Sequence, residues 1–290
     1  MRNAHSAKSD LAFDIINIFI LSLIVLIIAY PLYFVIIASF SDPDMIKRGE
    51  IILIPKGISL DAYREVFKNS QIWRGYWNTI IYTSGSVFFS LLFMMPASYA
   101  LSRQDFNLRK PVMMFFVFAM FFNGGLIPTY IQIMRLGLLN TYWVMVVPFS
   151  VSTFHLIVAR TFFASTIPME LWEAAQMDGC TNTRFFFQVV MPLSKAILAV
   201  IGLYVAVASW NGYMTALIYL QDAAAKPLQI ILREILIQNT RPLDTAIEAI
   251  RKAEMLKYAL IVVSTLPIMC AYPYVQKYFT QGALVGSIKG

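Results

Sequence analysis

Few side chains inside the long apolar stretches of this 290-residue sequence could do chemistry, and those that could are mostly uncharged. Asn123, Tyr130 and Gln132 fall in one stretch; Trp210, Asn211, Tyr213 and Tyr219 fall in another. Amides and phenols give and accept hydrogen bonds, and indole and phenol rings offer apolar faces. Such a set suits a ligand with many hydroxyls around CH faces, as a sugar has. The same residue types also join helices and gather at membrane interfaces, so packing is the competing reading. A proton or ion relay would need Asp, Glu or His at membrane depth, and only His155 stands there. A lone histidine in such a place is ordinarily a hydrogen-bonded packing residue. Arg135, near the end of its stretch, reads as an arginine snorkelling to the interface.

Covalent chemistry is not expected. No G-x4-G-K-[ST] loop, H-E-x-x-H or G-x-S-x-G pattern occurs, so neither a nucleotide site of that kind nor a catalytic residue is indicated. With two histidines, and with Cys180 and Cys270 in different segments, neither a metal site nor a disulfide is indicated. The net charge of +7 comes from basic residues scattered through loops. Without a basic patch interleaved with aromatics, anionic lipid headgroups are the expected partner and nucleic acid is not.

One polar segment between apolar stretches has the spacing of a docking element: Glu173-Ala174-Ala175-Gln176-Met177-Asp178-Gly179. Pro168 suits a first helical turn, Glu170 suits the positive end of the helix dipole, and Gly179 is a natural stop. A helix over about residues 168–178 is therefore expected. Leu171, Ala174, Ala175 and Asp178 would share one face, where the alanines let another surface approach closely. Thr181 can cap a second short helix, and Met191-Pro192 is expected to end it. Two short helices at an angle would make a rigid bracket between the flanking stretches.

The elements that must position these residues are membrane helices. The chain is 59% hydrophobic and only 13% charged, against about a quarter charged in soluble domains. Six runs reach the roughly 20 residues a span needs: 15–40, 78–101, 112–133, 142–163, 196–220 and 258–280. The fold class expected is therefore all-α integral membrane, with six transmembrane helices. The first run is too long for a signal-peptide core and lacks a small-x-small cleavage site, so it should stay as a helix. Residues 41–77 form an external loop with turns at Asp42-Pro43-Asp44 and Pro55-Lys56-Gly57 and an amphipathic piece from Leu60 to Phe67. Asn123-Gly124-Gly125 and Pro128 make the third run the best candidate for a broken helix lining a route. Residues 164–195 join the fourth and fifth runs. Residues 221–257 form a second external element, in which Pro227 opens a helix with Leu228, Ile231, Leu232 and Ile235 on one side; a further helix from about Thr245 leads into the last run. The short turn from Ser102 to Pro111 packs Arg103, Arg109 and Lys110 against Asp105, which by the positive-inside rule favours a cytoplasmic N-terminus, residues 1–14, and a cytoplasmic tail, residues 281–290.

The Glu-Ala-Ala-x3-Gly stretch with its downstream Met191-Pro192 resembles the coupling loop of type I ABC importer permeases, known as the EAA motif. The resemblance covers the chain from about Trp77 to its end, with Met191 standing where the family commonly has Leu. It implies a maltose-permease-like fold and a type-1 transmembrane domain over residues 78–280. It also implies a knob of Glu173, Ala174, Ala175, Asp178 and Gly179, closed off by Pro192, that enters a cleft on the ATP-hydrolysing subunit. Ser209-Trp210-Asn211-Gly212-Tyr213, the segment from Phe122 to Tyr130, Gln276-Lys277-Tyr278-Phe279 and the last five residues resemble the carbohydrate uptake branch, within it the subfamily for complex oligo- or polysaccharide fragments. The terminal Gly-x-x-Lys-Gly implies that Lys289 reaches toward the ATPase.

The expectation that follows is a permease, not an enzyme, in the bacterial cell (inner or plasma) membrane. It would form a heterodimer with a second homologous permease, on a dimer of ABC ATPase subunits that hold ATP and Mg, and would receive an oligosaccharide from an extracellular or periplasmic solute-binding protein. No cofactor is expected in the chain itself. A permease for a non-sugar solute is the alternative, and a membrane-embedded sugar-processing enzyme a more remote one.

Overall fold

The structure, a computed structural model, describes residues 4–122, 124–238, 255–270, 273 and 276, with backbone alone at residues 4–10, 12, 237 and 238. Asn123, Lys289, the helix expected from about Thr245, the end of the last run and the terminal tail lie outside the described residues. Every regular element among the described residues is helical. The chain divides into two units, Met1–Asn69 with Glu234–Leu266 and Ser70–Arg233 with Pro267–Gly290.

In the first unit, α1 (Ala4–Ser39) leaves an almost continuous apolar surface exposed from Leu11 to Ile36. Such a surface is unfavourable in water and ordinary in lipid. Its end is fixed by a polar knot: Ser39 Oγ lies 2.7 Å from Tyr63 Oη, and the Phe40 ring packs on Tyr63 at 5.1 Å. Asp42 caps α2 (Pro43–Lys47) by accepting from the Asp44 N–H at 2.8 Å. The amphipathic piece is α3 (Asp61–Lys68), with Ala62 and Val66 buried. Met255–Cys270, here α15, is a shorter apolar helix, and its Tyr258 meets Phe34 of α1 edge to face at 5.9 Å.

The second unit is organised on α4 (Ser70–Ser102), which begins eight residues before the run expected at 78. The other helices follow as α5 (Arg109–Phe121), α6 (Leu126–Arg135), α7 (Tyr142–Val146), α8 (Thr153–Thr166), α9 (Met169–Met177), α10 (Asn182–Phe185), α11 (Met191–Leu193), α12 (Lys195–Asn211), α13 (Met214–Tyr219) and α14 (Leu228–Gln238). Among the described residues, two helices are by themselves long and apolar enough to cross a membrane, Phe13–Ser39 and Ser70–Ser102. Helices α5 and α6 are separated by a break, as the glycines and Asn123 of the third run lead one to expect. The runs at 142–163 and 196–220, expected as single helices, are also broken. Residues 147–152 separate α7 from α8, and Gly212-Tyr213 separate α12 from α13. Pro148 and Gly212 are the local reasons, because proline lacks the N–H and glycine pays the largest backbone entropy in a helix.

Two apolar cores sit at opposite ends of α4. The first joins Met94, Met95 and Tyr99 to Phe163, Trp172, Phe185, Phe186, Val190 and Ile201. The second joins Tyr82 to Ile133, Val144, Val146, Ala216, Tyr219 and Ile230. Between them α4 presents Ser86 and Ser90 on the same stripe as Tyr82 and Met94, spaced by four residues. The second core is tied down by polar contacts from α4. Asn78 donates to the Ala224 and Lys226 carbonyls at 2.8 and 3.0 Å, Tyr82 donates to the Ala225 carbonyl at 2.8 Å, and Thr79 Oγ1 accepts the Leu228 N–H at 2.9 Å. Gly75 allows this approach, since a Cβ there would lie 2.5 Å from Ile231 Cδ1 and 3.1 Å from Leu228 Cα.

Candidate functional site

The polar segment folds as α9, with Pro168 at its N-cap in an extended conformation and not inside the first turn. Gly179 has φ +74°, and two bonds close the end: Gly179 N–H to the Gln176 carbonyl at 3.0 Å and Cys180 N–H to the Ala175 carbonyl at 2.9 Å. This is a Schellman cap, whose left-handed residue favours glycine. Trp172 is buried, and Met169 and Ala175 pack on the same core. Of the expected face, Leu171, Ala174 and Asp178 are exposed, while Ala175 turns toward the core beside Trp172. Glu170, Glu173 and Met177 are exposed as well, at i, i+3 and i+7, with Met177 89% exposed. Burying the large indole decides which side turns inward. Sequence reasoning passed over both the inward anchor Trp172 and the outward Met177.

Thr181 caps α10 as expected, its Oγ1 accepting the Arg184 N–H at 3.3 Å. That helix ends one residue past Met191-Pro192 and before the fifth run, as expected. It runs through a π-helical turn, Phe186–Val190, to Leu193, and the chain then breaks at Ser194 with a 79° bend into α12. In an α-helix Pro192 would clash with the carbonyl four residues back. The wider π turn, in which Met191 N–H bonds the Phe186 carbonyl, shifts that register before the proline arrives.

The bracket is held to the end of α4 by Arg103. Its guanidinium carbon lies 4.5 Å from the Trp172 ring centroid, and Nη1 donates to Tyr99 Oη at 2.9 Å. Nε donates to Asp105 Oδ1 at 2.8 Å and Nη2 to Asp105 Oδ2, a two-pronged pair. The hydrogen bond from Arg103 holds the Asp105 carboxyl below its usual range, and Asp105 pushes the guanidinium further up. Trp172 in turn meets Phe185 edge to face at 5.3 Å, and Tyr99 packs on Phe186 at 5.5 Å. One side chain therefore touches Tyr99 of α4, Trp172 of α9 and Asp105 of the loop between α4 and α5.

A cavity of about 320 Å³ lies between the two cores, within the range of about 300 to 1,000 Å³ common for ligand sites. Its polar lining comes from Ser86 and Ser90 of α4, Ser152 and His155 beside the first break, and Ser209 and Thr215 flanking the second. The serines also take up carbonyls freed by the break: Ser90 Oγ donates to Ser150 O at 2.6 Å and Ser86 Oγ to Met145 O at 3.4 Å. His155 stacks on Tyr204 at 5.5 Å, while its buried Nδ1 has no hydrogen-bond partner among the described residues. Hydroxyls, carbonyls and an imidazole can exchange hydrogen bonds with a polyhydroxylated molecule, and a lining without carboxylates does not repel an acidic one. Sequence reading assigned His155 to packing; the signal it lacked was the pair of breaks that opens the space beside it.

The residues expected to line a substrate path are distributed differently. Trp210 is buried and meets Tyr76 edge to face at 6.1 Å. Asn211 and Tyr213 are exposed at the break after it, with the Arg233 guanidinium 5.7 Å from the Tyr213 ring. Tyr130 stacks on Tyr219 at 5.9 Å as part of the second core, and Gln132 is exposed on α6. The cavity is lined by Ser209 and Gly212, the neighbours of Trp210, Asn211 and Tyr213.

Comparison with known proteins gives this architecture its context. Residues 72–284 match the family described as binding-protein-dependent transport system inner membrane component. The chain is 40% identical to the polygalacturonan/rhamnogalacturonan transport system permease protein YtcP of Bacillus subtilis, over 96% of this chain and 98% of that protein. It is 35% identical to Protein LplC of the same organism, over 99% and 98%. Among solved structures it resembles a chain of a bacterial ABC transporter involved in the import of the acidic polysaccharide alginate. That match has a TM-score of 0.87 at 33% identity and covers 94% of this chain and 98% of the other. The chain therefore belongs to the binding-protein-dependent transport system inner membrane component family, as an ABC transporter permease that works with an ATPase and a solute-binding protein.

Proposed function

We propose that this chain pairs with a second, similar permease chain and passes oligosaccharide or polysaccharide fragments from the solute-binding protein to the cytoplasm by alternating access. The observation that carries the substrate class is the hydroxyl-lined cavity, which His155 borders and no carboxylate does. The polysaccharides in the names of the relatives support the same class. Gln132, Asn211 and Tyr213, which are exposed, belong to the approach to that cavity and face the second permease.

In this reading six spans cross the membrane with the N-terminus in the cytoplasm. The outward face of α9, Glu170, Glu173, Ala174 and Met177, enters the ATPase, with Ala175, Asp178, Gly179 and Pro192 fixing its shape and Lys289 as a second contact. ATP and Mg bind on a pair of ATPase subunits, and their closure rotates the bracket and α12 about Ser194. The chain itself holds no cofactor.

Reconstitution of the full transporter in vesicles tests this. A binding protein loaded with galacturonan fragments is expected to stimulate ATP hydrolysis and uptake together. His155→Leu should lower uptake several-fold while leaving hydrolysis stimulated, because it removes a hydrogen bond made to the passing sugar, worth about 1 kcal/mol. Saturable uptake of a non-sugar solute with none of any saccharide would overturn the reading.

A further inference from the structure

We propose that Arg103 is the positioning residue that, beside the apolar core shared by the two helices, transmits movement of α9 to α4 and so joins docking on the ATPase to the cavity. The proposal rests on the coupling role of α9 set out above. Arg103 is the first residue beyond α4, and its side chain is only 10% exposed although its partner Asp105 is 46% exposed. A guanidinium so placed meets three kinds of group at once: the Trp172 face from α9, the Tyr99 hydroxyl from the last turn of α4, and the Asp105 carboxylate from the loop. Arginine alone offers a flat cation that can stack on an indole while its edge donates to two other groups.

Two side-chain bonds link α4 directly to α8. Arg160 Nε donates to the Leu101 carbonyl at 3.4 Å, and Ser98 Oγ donates to the Leu156 carbonyl at 3.2 Å, so the last turn of α4 is bonded to α8. No comparable polar bond joins α9 to α4 among the described residues; beside their shared apolar core, the joint is the Arg103 stack. From Arg103 to Ser90 at the cavity is about 20 Å of continuous helix at 1.5 Å per residue. Pro96 sits in that stretch and lacks an N–H, yet the helix runs unbroken across it, so a tilt set at its end by α9 is carried to Ser90 and Ser86.

The experiment uses the complete transporter in vesicles. Arg103→Met keeps the apolar stem and removes the stack and all donors; Arg103→Lys keeps the charge and loses the flat fork. Arg103→Met is expected to lower uptake per ATP about tenfold with unchanged recovery of the ATPase subunits, and Arg103→Lys to fall between it and the original chain. Spin labels at Met177 and Gln104, both exposed, should give a narrow distance distribution in the original chain and a broad one in Arg103→Met. A merely structural role would lower the amount of assembled transporter without changing uptake per ATP. Unchanged uptake per ATP and an unchanged distribution in Arg103→Met would overturn the proposal. If Arg103→Met does not assemble, Arg103→Lys decides in the same two measurements. Should Glu173 or Gly179 variants also couple normally, it is the role of α9 that fails; should they uncouple while Arg103→Met does not, only the role of Arg103 fails.

Discussion

Gly179 offers the most direct test of how α9 must be shaped to work. Its φ of +74° lies in the left-handed region, where a residue with a Cβ costs about 1–2 kcal/mol. That cost disfavours the capped end about five- to thirtyfold, since 1.4 kcal/mol is a factor of ten. No atom of the chain lies within 4 Å of a Cβ built there, so no clash inside the permease adds to it. Asparagine enters the left-handed region several-fold more readily than alanine although it is larger. The expected order of uptake per ATP is therefore Gly179, then Gly179→Asn, then Gly179→Ala, then Gly179→Val, in reconstituted vesicles with saturating loaded binding protein. Basal ATP hydrolysis should not follow that order. If Gly179→Asn were worse than Gly179→Ala, the side-chain volume in the docking cleft and not the backbone would govern. If Gly179→Ala matched the original chain, the cap would have no part in coupling.

Three further outcomes follow from the packing. Gly75→Ala brings a methyl within 2.5 Å of Ile231 Cδ1 and 3.1 Å of Leu228 Cα, and should destabilise the complex by about 1–3 kcal/mol in a thermal melt, with Ile231→Ala restoring part of the loss. Thr79→Val keeps the shape but leaves the Leu228 N–H without its acceptor in a buried place, a cost of about 1–3 kcal/mol read in the same melt. Because Arg103 holds the Asp105 carboxyl below its usual range, their pairing stabilises the folded loop at any pH above that range and is lost only as acid titrates the lowered carboxyl. A label at Met177 should keep its mobility from pH 8 to 5, whereas Asp105→Asn should loosen it at every pH by less than about 1 kcal/mol, since the carboxylate is nearly half exposed.

Local chemistry was legible in the sequence, and the inward anchor of α9 and the opening of helices were not. The end of α9 at Gly179 and the cap of α10 at Thr181 depend on a few neighbouring residues, so their types declare them. Which side of α9 faces inward depends on where Trp172 finds Phe185 and Arg103, and those partners are remote in sequence or belong to another helix. Hydropathy averaged over a span's length reports the apolar runs at 142–163 and 196–220 but not their interruption, because a break at Val147–Ser152 or Gly212-Tyr213 changes the mean little. The cavity exists only through those interruptions. Its serines at 86 and 90 read in the sequence as ordinary small residues of a helix interface.

The two cores at the ends of α4 have a consequence for how such a permease diverges. Of the residues that line the cavity, Met145 packs on the second core and Val205 on the first, and Ser86 and Ser90 hold carbonyls of the break. Substitutions at Ser152, His155, Ser209 or Thr215 touch none of these ties, so they can alter what fits inside while the ends of α4 keep their packing. The cavity walls outside α4 can thus drift in sequence while α4 itself stays under constraint.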